Sequence, residues 1–306
     1  MLCGCGKRDK KMSLESKSLR YFCAVAGHGS FTAAADSLSI AQPAMSMSIK
    51  RLEEELGLRL FNRFDRQISL TDEGQKLYEY ARPIVQSLND AQQAMAELRG
   101  LDDGLVRIGM PGMLGSYYFP PLLMAFRHQY PGIKLSIIDA GADQLQAMLE
   151  QGELDLAFIV SEDVPDSLGA EAILRLPMVA VVAKEHAFAQ LDCVDIEQFL
   201  QQELVIFKPG YFHRRIIDQM ASESGIAPNI SIETNLIHLM KSFVSRGFGI
   251  TSFLDIVLED ETDLVGVPFA EPFSLNIHIA WRKQGYLSVA NRAFRDFIVE
   301  HSEQGS

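Results

Sequence analysis

No stretch of the 306-residue sequence reaches ~18 apolar residues without a charge, which argues against a membrane-spanning helix. The basic start, Met1 to Arg8, has no apolar run behind it and does not read as a secretory signal, so the chain is expected in the cytoplasm. Cysteine is scarce. Cys3, Cys5, Cys23 and Cys193 fit neither a disulfide framework nor a zinc site, and a reducing compartment would keep them as thiols. No glycine-rich phosphate loop with a following Lys-Ser/Thr occurs, and no Gly-x-Ser-x-Gly elbow. Gly247-Phe248-Gly249 lacks the third glycine of a dinucleotide fingerprint, and the seven histidines stand singly, away from metal-ligand spacing. These gaps set an enzyme aside and call for no cofactor and no metal. Positive charge is also short, with a net of −12, but residues 1–11 carry +3, residues 12–75 carry −1 and the remainder −14. The acidity lies away from the N-terminal segment, which is compatible with a local contact face for nucleic acid.

What is present begins after residue 13. Residues 1–13 read as a disordered leader, and Met12 is an alternative start. Leu19, Phe22, Cys23, Val25 and Ala26 share one helical face, which Gly27-His28-Gly29 ends. Ser30 is placed to cap a short alanine-rich helix over Phe31 to Leu38. A tight turn at Ser39-Ile40-Ala41 leads into a third helix with Pro43 in its first turn and an apolar stripe through Ala44, Met45, Ile49, Leu52 and Leu56. Two helices across a three-residue turn form the unit that lays its second helix in the DNA major groove. Gln42, Ser46, Met47 and Lys50 point away from the stripe. Gln pairs with adenine, Ser with a base or phosphate, Met with a thymine methyl, and Lys50 and Arg51 neutralise phosphates. A solvated helix face explains the same pattern. Two apolar pieces, Leu58 to Phe61 and Ile68 to Leu70, flank a basic turn and read as a wing, with Arg63 and Arg66 in reach of a backbone or minor groove. Thr71, Asp72 and Glu73 suit the start of another helix.

These residues resemble the N-terminal domain of the LysR-type transcriptional regulators. The likeness runs through Leu19 to Phe22, Gly29 to Ala35, Leu38, Ala41 to Ala44, Ser46, Ile49, Leu52-Glu53, Leu56-Gly57, Leu60-Phe61, Arg63 and Leu70 to Gly74. The resemblance implies that Gln42, Pro43, Ser46, Arg63 and Arg66 face DNA and that Ser30 and Thr32 face phosphate. Three positions depart from it. Ala41 stands where Ser or Thr is usual, Met47 where Arg is common, and Glu73 where Ala is usual.

From 76 to 99, Leu77, Ala81, Ile84, Leu88, Ala91, Met95 and Leu98 recur at heptad steps, and Pro83 should kink their helix. Pairing with a second copy and packing on the same chain both fit. The resemblance implies dimers or tetramers, as does the need of one short recognition helix for a second. Gly100 to Gly104 mark a boundary.

From Leu105 on, strands alternate with helices, in two groups joined by two crossings guessed near Pro177-Val181 and Gly266-Pro268. The expected fold class is therefore α/β: a mainly α winged helix-turn-helix over 14–75, a linker helix over 76–102, and a two-lobed effector domain over 103–306. Lobe I takes about 103–177 and 268–300, and lobe II about 178–267. Ile108-Gly109, Phe119 to Leu122, Phe126, Tyr130-Pro131, Gly152 to Ala157 and Gly247 to Ile250 resemble the family's effector domain, which is similar to periplasmic solute-binding proteins. Ligands of such sheets sit beyond the carboxyl ends of strands. That singles out Gly112, Met113, Gly115 and Ser116 in a loop over Pro111 to Ser116, then Ser161, then Phe207, Lys208 and Gly210 with Thr251 nearby; Lys208 and His213 would add positive charge. The expected effector is small and carboxylate-bearing. The expected partners are double-stranded promoter DNA, the effector, further copies of the chain and, for an activator, RNA polymerase. A ligand sensor whose head no longer reads DNA is the alternative.

Overall fold

The computed structural model describes residues 14–64, 67–97, 104–160 and 164–302. The leader with Cys3 and Cys5, and also Arg66, Leu98, Gly100 and Ser161, lie outside the described residues. The chain forms two compact units, Met1–Gln93 and Ala94–Ser306. No described helix is long and apolar enough to cross a membrane.

The first unit opens with α1 (Ser16–His28), α2 (Phe31–Ser37) and α3 (Gln42–Leu56). Most of its core follows the periodicity: Phe22 and Val25 of α1, Ala34 and Ala35 of α2, and Met45, Ile49 and Leu52 of α3 are buried, whereas Ala44 of the expected stripe is exposed and Leu56 half-buried. The alanines let α2 come close, and the Phe22 and Phe31 rings meet Phe61 at 5.4 and 5.9 Å. Gly29 and Gly57 end α1 and α3 in the left-handed conformation. Glu53 then accepts a bond from the Leu60 amide, 2.8 Å, and so ties the exit of α3 to the wing.

The wing pairs β1 (Phe61–Phe64) with β2 (Gln67–Leu70) in antiparallel register. The first strand is displaced from its expected place: Leu58 and Arg59 precede it, and Asn62 and Arg63 belong to it rather than to the turn. The shift follows from Leu60, which is buried in the head core and leaves Phe61 to start the ladder. Helix α4 (Asp72–Glu97) follows, capped by Thr71, whose Oγ1 accepts from Gly74 N at 3.0 Å and donates to Arg59 O at 2.7 Å. A Cβ on Gly74 would lie 2.1 Å from Leu60 O, so this position tolerates no side chain without backbone movement. The helix continues without a break through Pro83. Its heptad seam divides: Leu77 and Ala81 pack into the head core, whereas Ile84 and Met95 are exposed.

In the second unit β3 (Leu105–Met110), β4 (Lys134–Asp139) and β5 (Leu156–Val160) alternate with α5 (Gly112–Tyr117), α6 (Phe119–Gln129) and α7 (Ala142–Glu150). Then come β6 (Leu168–Ala183), α8 (Ile196–Gln201), β7 (Leu204–Ile206), α9 (Phe212–Ser224), β8 (Ile230–Glu233), α10 (Ile237–Ser245), β9 (Thr251–Leu254), β10 (Leu264–Arg282) and α11 (Val289–Ser302). The main sheet runs β4-β3-β5-β10-β6-β9, and β7 pairs with β8 beside it. Asp155 fixes the β3–β5 end through a two-pronged ion pair with Arg107, 2.6 and 3.1 Å.

Three stretches differ from expectation. The loop Pro111 to Ser116 is mostly helix α5. The crossings guessed near Pro177-Val181 and Gly266-Pro268 each fall inside one long strand, β6 running from Leu168 to Ala183 and β10 from Leu264 to Arg282 with an irregularity between Pro268 and Phe273. Proline misled the reading here. Pro177 pairs with Ser274 at a point where β9, which starts opposite Met178, does not yet reach β6, so its missing amide leaves no gap in the sheet. These two long strands run through both lobes.

Candidate functional site

The DNA-facing candidates lie on or beside α3. Ser30 caps α2, its Oγ accepting from Ala33 N at 3.3 Å, and Thr32 is exposed one step on. Gln42 and Pro43 open α3 and are exposed; Gln42 donates to Ser46 Oγ at 2.9 Å, which holds the amide along the outward face. Met47 is 73% exposed, an apolar side chain left in solvent at the centre of that face. Lys50 lies 3.8 Å from Glu54, and Arg51 pairs with Glu55 at 2.8 Å and with Glu15 at 3.9 Å. Its guanidinium is thus shared with two carboxylates of its own chain. Ala41 gives α3 no side-chain cap. The backbone of Arg63 is on the wing strand.

A cavity of about 40 Å³ lies between the two lobes of the second unit, on the order of three water-sized spheres. Gly112, Met113 and Phe207 line it. Gly115, Ser116, Lys208, Gly210 and Thr251 do not. The reasons are local. Gly115 donates its amide to Pro111 O within α5, and a Cβ there would meet Met110 Sδ at 2.9 Å, so it is packed against β3. Ser116 is exposed on α5, and Lys208 is exposed with its backbone amide bonded to Asn235 Oδ1 at 3.0 Å. Gly210 stands in a side groove with Arg214 and Arg215. Thr251 is fully buried in β9.

Sequence reasoning passed over Asp139, Asn235, Ile237, Leu254, Leu275 and Ile277, all of which line the cavity. Asp139 was within reach, because it ends β4 and strand ends are where ligands bind. The others depend on how β9, β10 and α10 are brought round, which no local pattern states. His213 lines the cavity but adds no charge near neutral pH: burial without a counter-charge pushes its pKa down to about 4, and its Nε2 finds no partner among the described residues. Among the described residues neither Lys nor Arg lines the cavity, and the charged one that does is Asp139. That wall runs against the carboxylate-bearing effector expected from sequence.

Three contacts join the lobes at and beside the cavity. Met113 Sδ accepts from Leu254 N at 3.4 Å, Arg215 pairs with Asp143 at 3.1 Å, and Gly141 stands so near Gly210 that a Cβ would lie 2.3 Å from its carbonyl oxygen. The two cysteines in the described residues are elsewhere: Cys193 is exposed, and burial pushes the Cys23 thiol up to about 11, which leaves it unreactive.

Known proteins share both parts. Residues 16–75 match the model of the bacterial regulatory helix-turn-helix proteins of the lysR family, and residues 99–303 match the LysR substrate binding domain. The chain belongs to the LysR family of transcriptional regulators. It is a DNA-binding regulator of that type, with a helix-turn-helix head and an effector-binding domain. It is 31% identical to the uncharacterized HTH-type transcriptional regulator YwbI of Bacillus subtilis, over 95% of this chain and 96% of that protein. It is 29% identical to the RuBisCO operon transcriptional regulator of Allochromatium vinosum, over 95% of this chain and 97% of that one. The full-length OxyR of Pseudomonas aeruginosa has the same fold, with a TM-score of 0.72 at 22% identity, over 94% of this chain and 95% of that structure.

Proposed function

We propose that this LysR-type regulator grips an interrupted dyad in promoter DNA as a dimer or tetramer, in the cytoplasm, and that a small effector in the lobe cavity resets the spacing of its heads. Binding there carries a free-energy difference only if the effector favours one lobe arrangement over the other, and contacts from both lobes provide that condition. No catalytic step and no membrane is needed, and RNA polymerase would be a partner if the chain activates. The observation that carries the reading is α3: an apolar inner stripe in the head core and an outer face on which Gln42 and Met47 are exposed beside a half-buried Ser46. Ile84 and Met95, exposed along the α4 seam, suit a second copy.

The test is selection of bound fragments from sheared genomic DNA at two salt concentrations. Retention of a few dyad-bearing fragments at the higher salt supports the proposal. Failure to retain any, with or without a metabolite extract, favours the sensor with a non-reading head. A sharper variant is Arg63→Glu, which replaces a wing cation by a repelling charge. DNA affinity should fall on the order of a hundredfold with effector affinity unchanged. Equal loss of both would make Arg63 structural.

A further inference from the structure

We propose that the lobe cavity takes a small apolar molecule with a cationic, amine-type head, seated against Asp139. The inference rests on the effector reading above and narrows it. Asp139 ends β4 at the cavity rim, where its carboxylate is exposed, and among the described residues it has no hydrogen-bonding or ion-pair partner. Its oxygens lie 3.0 and 3.1 Å from where a Cβ on Gly112 would stand. The start of α5, which an anionic ligand would otherwise approach, already faces negative charge. Of the cations beside the rim, Arg215 is paired with Asp143 and Arg214 with Asp218, while Lys208, next to Phe207, is exposed to solvent and does not line the cavity. Inside the cavity an incoming carboxylate would therefore meet the repulsion of Asp139 with no cation among the lining residues, whereas an ammonium would meet a vacant partner.

The rest of the wall defines the other end of the ligand. Met113, Phe207, Ile237 and Ile277 present hydrocarbon and ring surface, and buried apolar walls reward a matching apolar body. His213, neutral and more than nine-tenths buried, adds one polar atom without charge, the Nε2 that no group among the described residues satisfies. A volume of about 40 Å³ restricts the body to a few carbons unless the lobes part.

Isobutylamine, isobutanol and isobutyrate share one body and differ only in the head. Ligand-observed NMR on the full-length protein should rank the amine first, the alcohol second and the acid last. Asp139→Asn should weaken the amine about fivefold to tenfold and leave the alcohol unchanged, which also shows that the variant is folded. Isobutyrate binding as tightly as the amine, an amine indifferent to Asp139→Asn, or no binding by any of the three overturns the proposal. Retention of promoter fragments by the same preparation is scored separately. Its loss counts against the regulator reading, whereas a wrong rank order counts only against the ligand class.

Discussion

The head and the effector unit place their working residues on opposite kinds of surface. In the head the candidates sit on a convex helix face, and Gln42, Ser46, Met47 and Lys50 span nine residues of one element. In the effector unit they line a hollow to which residues from Pro111 to Ile277 contribute through strands, helices and loops of two lobes. A face on one helix is fixed by a period of 3.6 residues, and turning one side to the core turns the other to solvent. A hollow is fixed by which distant segments the sheet brings together. The comparison predicts that damage to each unit stays local, and that the two respond to different perturbations.

The largest effect expected is at Gly74. A Gly74→Val side chain would drive into Leu60 O from 2.1 Å, forcing apart the start of α4 and the wing. Loss of about 3 kcal/mol or more from the head is expected, with the effector unit unfolding as before. Urea melts followed by hydrogen exchange on each unit would show it. Loss of protection in both units would end the claim of local damage.

Next is acid. His213 has its pKa lowered by burial to about 4, against 6.5 in the unfolded chain. Between those values the unfolded state binds the proton and the folded state does not. This contribution to stability is therefore fully present above pH 6.5 and is lost as pH falls towards 4, on the order of 3 kcal/mol. The effector unit should show that slope, and His213→Phe should flatten it. A slope of equal size after the substitution would assign it to other groups.

How far each unit could be read from sequence follows the same division. Val25, Ala34, Met45, Ile49 and Leu52 form the head core because their spacing allows nothing else, and the outward face came with them. The strand and helix order of the effector unit was legible too, since hydrophobic runs alternate with amphipathic ones. Continuity across Pro177 and the joining of 264–282 into one strand were not, because whether a missing amide matters depends on which neighbour lies beside it. The cavity suffered most. Gly115 was expected at the ligand and is a packing position, and His213 was expected to add positive charge and is neutral. Burial set both roles, and burial is a property of the assembled sheet.

A smaller effect tests whether the head's low positive charge limits its grip. Met47→Arg places a cation at the centre of the exposed face. It should raise DNA affinity a few-fold at low salt and steepen the dependence of log K on log salt by about 0.9. An unchanged slope would place Met47 away from phosphate, in keeping with contact to a base edge, and a competition between thymine and uracil at single positions would then locate the methyl it touches.

The smallest effect is at Ala41, and its size can be argued from its neighbours. A serine here would cap α3 by accepting from an amide in the first turn, a gain of ~1 kcal/mol at an ordinary helix start. Pro43 has no amide to donate, so one of the two usual partners is missing from this helix. The other candidate, Ala44 N, already bonds to Ala41 O at 3.0 Å. Ala41→Ser should therefore stabilise the head by only about 0.5 kcal/mol, at the low end of the range for caps. The same hydroxyl would stand at the end of the helix presented to DNA. A rise in affinity without a matching rise in stability would assign the position to phosphate contact, and a rise in stability alone would assign it to the fold.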